Sequence, residues 1–327
     1  MSQIVHISEL PNFYALGNAD PRASDNSRID MRMVFGRSVS IAVANCEPGY
    51  HPAPHLHASE QINYISKGEL WVYVDGVGYH LTEGDAIRIP RMKMHWMWNR
   101  SSTPCTFYES NCPPLSGDPA VWNSPCALFD PGEARPRRED FPHVVWLAEK
   151  YWEAENRKEP PGEGPLVVRA GSLTTSVHSG AIGAAASGKL TSKCVHGLGH
   201  NLTVATRKGG YHSVPHIHDA EQIHFIVKGE IKIFTSEAGF DCKEGDFNIA
   251  SRNIPHWAIV PTDDENILLQ VHSPVLGSAA NRKALVTDEE KAFPIPTVFN
   301  MTPWAAEEIM KVEDKFLPAM RRSGPSA

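Results

Sequence analysis

The chain has no long apolar run, no basic run and no paired-cysteine signature. No stretch reaches the roughly 18 apolar residues that a membrane-spanning helix needs. No cluster of Lys or Arg marks a surface for nucleic acid or for anionic lipid; 31 Lys and Arg against 38 Asp and Glu leave a formal net charge of −7. The first ten residues, MSQIVHISEL, lack the basic-then-apolar pattern of an export leader, so the cytoplasm is the expected location. The six cysteines (Cys46, Cys105, Cys112, Cys126, Cys194 and Cys242) show no C-x-x-C spacing. In a chain of this length they read as reduced core thiols, not as a disulfide framework. At 327 residues the chain is about two domains long, and each half can bury its own core.

Histidine is what it has in quantity. There are 16, and several are clustered in one stretch that occurs twice. Gly49 to Gly68 reads GYHPAPHLHASEQINYISKG, and Gly210 to Gly229 reads GYHSVPHIHDAEQIHFIVKG. Adding 161 to each number carries His55, His57, Gln61, Gly84 and His95 onto His216, His218, Gln222, Gly245 and His256 with no gap. About twenty of the fifty-one positions in this window are identical. The register extends outward, with Gly36, Val43 and Ala44 falling on Gly197, Val204 and Ala205, and Pro142 on Pro303. The chain is therefore a tandem duplication. The domains are expected at 1–161 and 162–327, joined through the Pro- and Gly-rich segment 159–165.

Each half reads as strands first and a helix last. Val34 to Asn45 and Val195 to Thr206 are β-prone, and Leu70, Val72 and Val74 alternate as strand residues do. Gly84-Asp85 and Gly245-Asp246 are tight turns. Short strands broken by turns at this density predict an all-β chain of antiparallel barrels. Helical patterns follow at Val144–Arg157 and Trp304–Met320, the second opened by Thr302-Pro303 and ended or bent by Pro318. The leading segment of each half is expected to be an extended arm crossing onto the other domain or another subunit.

These motifs resemble the cupins, whose first motif is G-x5-H-x-H-x3,4-E-x6-G and whose second is G-x5-P-x-G-x2-H-x3-N. Here Gly49-x5-His55-x-His57 and Gln61-x6-Gly68 are followed by Gly84-x5-Pro90-x-Met92-x2-His95-x3-Asn99. The second half repeats this with Ser251, Asn253 and Val260 in place of Pro90, Met92 and Asn99. The resemblance covers roughly 34–115 and 195–277 and implies a bicupin: two jelly-roll barrels, each with a metal at its centre. Strand geometry agrees, because residues i and i+2 share a face and the histidines of H-x-H point together. The resemblance implies the ligands His55, His57, Gln61 and His95, and His216, His218, Gln222 and His256. The chain departs from the family in that the count back from Gly68 and Gly229 lands on Gln, while Glu60 and Glu221 fall on the opposite strand face. A neutral fourth ligand leaves the metal charge uncompensated, which favours Lewis-acid work and anionic substrates. Imidazole suits several divalent metals; Fe(II) is favoured, with Zn, Mn, Ni or Co as alternatives.

Further candidates stand around these ligands. His51 and His212 precede the first ligand by four residues and are candidates for proton transfer or for the barrel rim. Asn63 and His224 share strand parity with the glutamines and are candidates for acid–base work or substrate contact. Arg88 could clamp a substrate carboxylate, and Trp96 and Trp98 could wall an apolar pocket. The expected function is an Fe(II) dioxygenase acting on a small anionic aromatic or dicarbonyl compound. The alternatives are a non-redox isomerase or lyase acting on a carbonyl or enol acid, and a non-catalytic metal-binding bicupin. The expected partners are a small-molecule substrate and a second copy of the chain, as a dimer, with neither nucleic acid nor membrane.

Overall fold

The computed structural model describes residues 2–13, 28–52, 55–115, 124–125, 153–156, 166–173, 175–178, 189–275, 299–301 and 305–324. The described chain forms four antiparallel sheets arranged as two jelly-roll barrels, the tandem all-β architecture expected from the repeat. The first barrel has a six-stranded and a five-stranded sheet, and the second a seven-stranded and a five-stranded sheet.

Strand periodicity makes three cores from two barrels. In Glu60–Lys67, Gln61, Asn63 and Ile65 face the interior of the first barrel, while Ile62 and Tyr64 face away from it. The outward face is not solvated. Ile41, Val43, Ile62 and Tyr108 join Leu202, Ile223, Phe225, Leu269 and Val271 in a core between the barrels. Tyr108 meets Phe225 there, with ring centroids 5.8 Å apart. The barrel interiors hold separate cores, with Ile65, Leu70, Val72 and Phe107 in one and Ile226, Ile231, Ile233 and Leu268 in the other. A sheet apolar on both faces is one buried on both faces.

The leading arms cross between barrels, and do so in both directions. Gln3–His6, from the first half, pairs with Asp246–Ala250 at the edge of the second barrel. Val167–Val168, from the second half, pairs with Ala86–Ile89 in the first. Residues 161 and 162 and the linker 159–165 lie outside the described residues, so the expected boundary is not seen directly. Each barrel nonetheless contains a strand from beyond it.

The second terminal helix runs Ala306–Phe316, where Glu308 accepts the N–H of Ala305, and Pro318 sits in the 3-10 turn Leu317–Ala319 that ends it. Ile309, Val312, Phe316 and Met320 pack on Phe234 and Trp257, outside the second barrel. In the first half only residues 153–156 of the expected helix are described, and 153–155 are helical. Pro142, Thr302, Pro303 and Trp304 lie outside the described residues. No described helix is long and apolar enough to cross a membrane.

Candidate metal centres

His55 and His95 are directly opposed on neighbouring strands of the five-stranded sheet, and His216 and His256 are opposed in the same way in the second barrel. His57 and His218 complete each group. In both, one nitrogen from each of the three rings lies within 4.8 Å of the other two. Ring centroids in the first group are 4.4 Å apart for His55–His95 and 4.8 Å for His57–His95.

The hydrogen bonds fix which nitrogen faces inward. His57 Nδ1 donates to the carbonyl of Ser59, 3.0 Å away, and His95 Nδ1 to that of Lys93, 2.9 Å away. His216, His218 and His256 donate from Nδ1 to Val214, Ala220 and Ile254. A carbonyl only accepts, so each Nδ1 carries the proton and each Nε2 presents a lone pair. Nε2 of His95, His218 and His256 is buried with no hydrogen-bond partner among the described residues. Burial holds all five of these imidazoles below their usual range, His216 at about 4, so they stay neutral.

Gln61 comes in from the facing sheet. Its Nε2 donates to Asn63 Oδ1 at 2.9 Å and to Glu109 Oε2 at 3.0 Å, which turns its carbonyl oxygen toward His57 Nε2, 2.9 Å away. Two lone pairs then face each other, an arrangement that a cation between them resolves. In the second barrel Gln222 Oε1 is likewise buried without a partner among the described residues. The donor set of three imidazoles and one amide oxygen fits a divalent first-row transition metal, and backbone carbonyls supply the outer support such ligands need.

Glu60 and Glu221 point the other way. Glu60 is buried and accepts the N–H groups of Leu198 (2.9 Å) and Gly199 (2.8 Å) and His200 Nδ1 (3.2 Å), all from the second half. Burial alone would raise its pKa, but His200, Arg88 and the Leu198 N–H together hold it well below the carboxylate range. Glu221 accepts from the N–H groups of Arg37 (2.9 Å) and Ser38 (2.6 Å) in the first half. The glutamates of E-Q thus join the barrels while the glutamines face the centres.

Three candidates are corrected in placement by the same two-residue period. Arg88 is buried and ion-paired to Glu60, so it is committed to the barrel interface and not to a substrate. Trp96 and Trp98 alternate with His95 and Met97, and they pack outside the cavity: Trp96 stacks on Tyr73 at 4.7 Å, and Trp98 lies under Arg100. His51 stacks on Trp98 and bonds Glu155 at 2.9 Å, and Glu155 also accepts the Trp96 indole N–H. His212 and Trp257 meet Glu313 of the terminal helix at 2.8 Å each. The two histidines therefore take part in the latch between barrel and helix. Asn63 and His224 do face the cavities.

Five cavity residues are not singled out by the motifs. Glu109 and Asn111 on Cys105–Cys112 pair across the sheet with Asn63 and Gln61. Gln270 and His272 hold the matching positions opposite His224 and Gln222. Arg207, at the end of Asn201–Arg207, bonds Gln270. The signal was the 161-residue offset applied to strands where polar residues alternate with apolar ones. Burial pushes Glu109 up to about 7 even though the Asn111 amide lowers it.

The cupin domain family matches residues 42–110. Among solved structures, the fold is similar to the oxalate decarboxylase formate complex of Lactobacillus farciminis (TM-score 0.62, 14% identity, 84% of this chain and 87% of that one). It is also similar to AerE from Microcystis aeruginosa (TM-score 0.53, 15% identity, 77% and 95% covered). A third similar structure is the Bacillus subtilis oxalate decarboxylase whose Mn(II) centres have been studied (TM-score 0.55, 13% identity, 84% and 78% covered). No curated protein sequence matches the chain.

Proposed function

Starting from a chain that is a bicupin, we propose that each barrel holds a divalent transition metal and that the protein is a metal-dependent enzyme. Its substrate on this reading is a small acid with a carbonyl or enol oxygen, handled by non-redox chemistry of the lyase or isomerase type. The observation that carries the reading is the cluster of three imidazoles in each barrel, joined by the inward amide oxygens of Gln61 and Gln222. Such a set leaves the full charge of the cation available to polarise a carbonyl. His55, His57, His95 and Gln61 would hold the first ion, and His216, His218, His256 and Gln222 the second.

The chain's own groups supply the rest. Asn63 and Glu109 lock the Gln61 amide so that its oxygen faces inward. In the second barrel His224 is kept neutral, at about 3, mainly by burial, and its Nδ1 has no partner among the described residues. On this reading it is the candidate to take and return a proton. The outward placement of Trp96 and Trp98 removes the aromatic wall that favoured an aromatic substrate.

An Fe(II) dioxygenase remains the second reading, because three imidazoles serve iron equally well. Metal analysis of protein purified without added metal, with oxygen uptake followed across a panel of 2-oxo acids, separates the two. About two equivalents of Mn, Zn or Co, and turnover without oxygen consumption, is the expected result. Iron with substrate-dependent oxygen uptake overturns it in favour of the dioxygenase. A protein that holds no metal overturns both in favour of a non-catalytic bicupin.

A further inference from the structure

The two cavities have the same ligands but different ionisable groups beside them. In the first barrel the interior face carries Ala42, Cys46, Ile87 and Glu109. The equivalent positions in the second are Thr203, Arg207, Asn248 and Gln270. A buried carboxyl has been exchanged for an amide, and a thiol for a guanidinium.

Arg207 is 7% exposed, yet its Nε and Nη1 have no hydrogen-bond partner among the described residues. Nη2 donates to Gln270 Oε1 at 3.3 Å, and Tyr211 is its other neighbour, with a ring centroid 5.4 Å from the guanidinium and a polar side-chain contact to it. No carboxylate among the described residues pairs with it. Gln270 is the cross-strand partner of both Thr203 and His224. The guanidinium therefore lies near the His224 level of the cavity, one same-face step, ~7 Å, below Gln222. A guanidinium held in the dry interior with two free donors is costly unless an anion completes it. Its planar fork matches a carboxylate.

We propose that the second barrel is the anion-binding half of the molecule, with Arg207 receiving one carboxylate of a compact organic acid whose other oxygens reach the His216–His218–His256 centre. This rests on the metal reading above only for the second contact. The first barrel, with Glu109 in its cavity and Cys46 in place of the arginine, does not share this preference. The two centres differ in substrate, not merely in rate.

The test uses malonate, with malonamide as its neutral counterpart, on the full chain loaded with Mn(II) and on chelator-treated chain. Malonate should raise the melting temperature of both preparations, more in the loaded one, and malonamide should raise neither. Arg207→Met should abolish the malonate response, and without malonate it should melt no lower than the native chain, because an uncompensated buried charge has been removed. Arg207→Lys should bind malonate at least tenfold more weakly by calorimetry, since the forked geometry is lost. A malonate response that survives Arg207→Met overturns the proposal. Should Arg207→Met fail to fold, an unchanged malonate affinity in Arg207→Lys overturns it instead. A response present in chelator-treated protein but not strengthened by Mn(II) leaves Arg207 in its role and counts against the metal reading alone.

Discussion

Glu60 accepts a hydrogen bond from the backbone N–H of Gly199, 139 residues further along the chain and in the other barrel, at 2.8 Å. The contact leaves no room for a side chain at the loop. A Cβ built on Gly197 would lie 2.6 Å from Glu60 Oε2, and one built on Gly36 would lie 2.5 Å from Glu221 Oε2. The duplicated glycines and glutamates are two copies of one joint.

Removing Glu60 takes away the carboxylate paired with the buried Arg88 guanidinium and the acceptor of two backbone N–H groups. Glu60→Ala should destabilise the chain by about 3–5 kcal/mol in urea unfolding. Glu221→Ala, whose partners named here are backbone N–H groups alone, should cost about 1–3 kcal/mol. Equal and small losses for both would show that the joint contributes little.

The same carboxylate sets an acid limit. Its pKa is depressed in the folded chain below its ordinary value of 4.5, so the unfolded state binds the proton more readily as pH falls. The stability Glu60 contributes is therefore complete above that value and is lost progressively below it. Unfolding free energies measured from neutral pH down to about pH 3 should fall more steeply in the native chain than in Glu60→Gln.

His57→Ala and His218→Ala should each remove one metal equivalent by elemental analysis while leaving the other centre filled. Chelation should lower the melting temperature. A metal present at a hundredfold excess over its dissociation constant contributes about 2.7 kcal/mol to the folded state. Full metal content in either variant would refute the ligand assignment.

Glu313→Gln should weaken the latch to His212 and Trp257 by about 1–2 kcal/mol and leave metal content unchanged. Loss of metal in this variant would mean that His212 reaches the centre after all.

Met92 stands where the cupin motif has glycine, and it adopts a left-handed backbone with φ of 59°. Its N–H bonds the carbonyl of His57 at 2.9 Å, so the turn is tied to a ligand. The side chain is 59% exposed and has little packing to lose. Met92→Gly should stabilise the chain by about 1 kcal/mol in urea unfolding. The matching Asn253, also at φ of 59°, tolerates this conformation better and should gain less.

Much of this was legible beforehand because spacing and parity are strong constraints. The gapless 161-residue offset predicted two barrels, and the count from Gly68 and Gly229 put Gln61 and Gln222, rather than their glutamate neighbours, on the inward face. The leading segments were expected as extended arms crossing onto the other domain or another subunit, and they pair with the other barrel. Parity misled only where it was left unapplied. Trp96 and Trp98 are one and three residues from His95, so they had to face away from it. Arg88 stands between the inward Ile87 and Ile89, so it had to share the outward face with Glu60, its counter-ion on the neighbouring strand of the same barrel. Glu109, Asn111, Arg207, Gln270 and His272 lie on strands outside the motif spacing; polar alternation marks those strands, and the register of the folded sheet sets which ligand each one faces.

The exchanged arms carry a consequence for how the molecule can be divided. Severed at its midpoint, each piece would keep its histidine trio but surrender an edge strand to its counterpart. The fragments should reassociate one-to-one when mixed, regenerating the parent assembly from two nicked halves. This is the behaviour expected of a duplicated gene that fused an ancestral strand-swapped pair into one continuous chain.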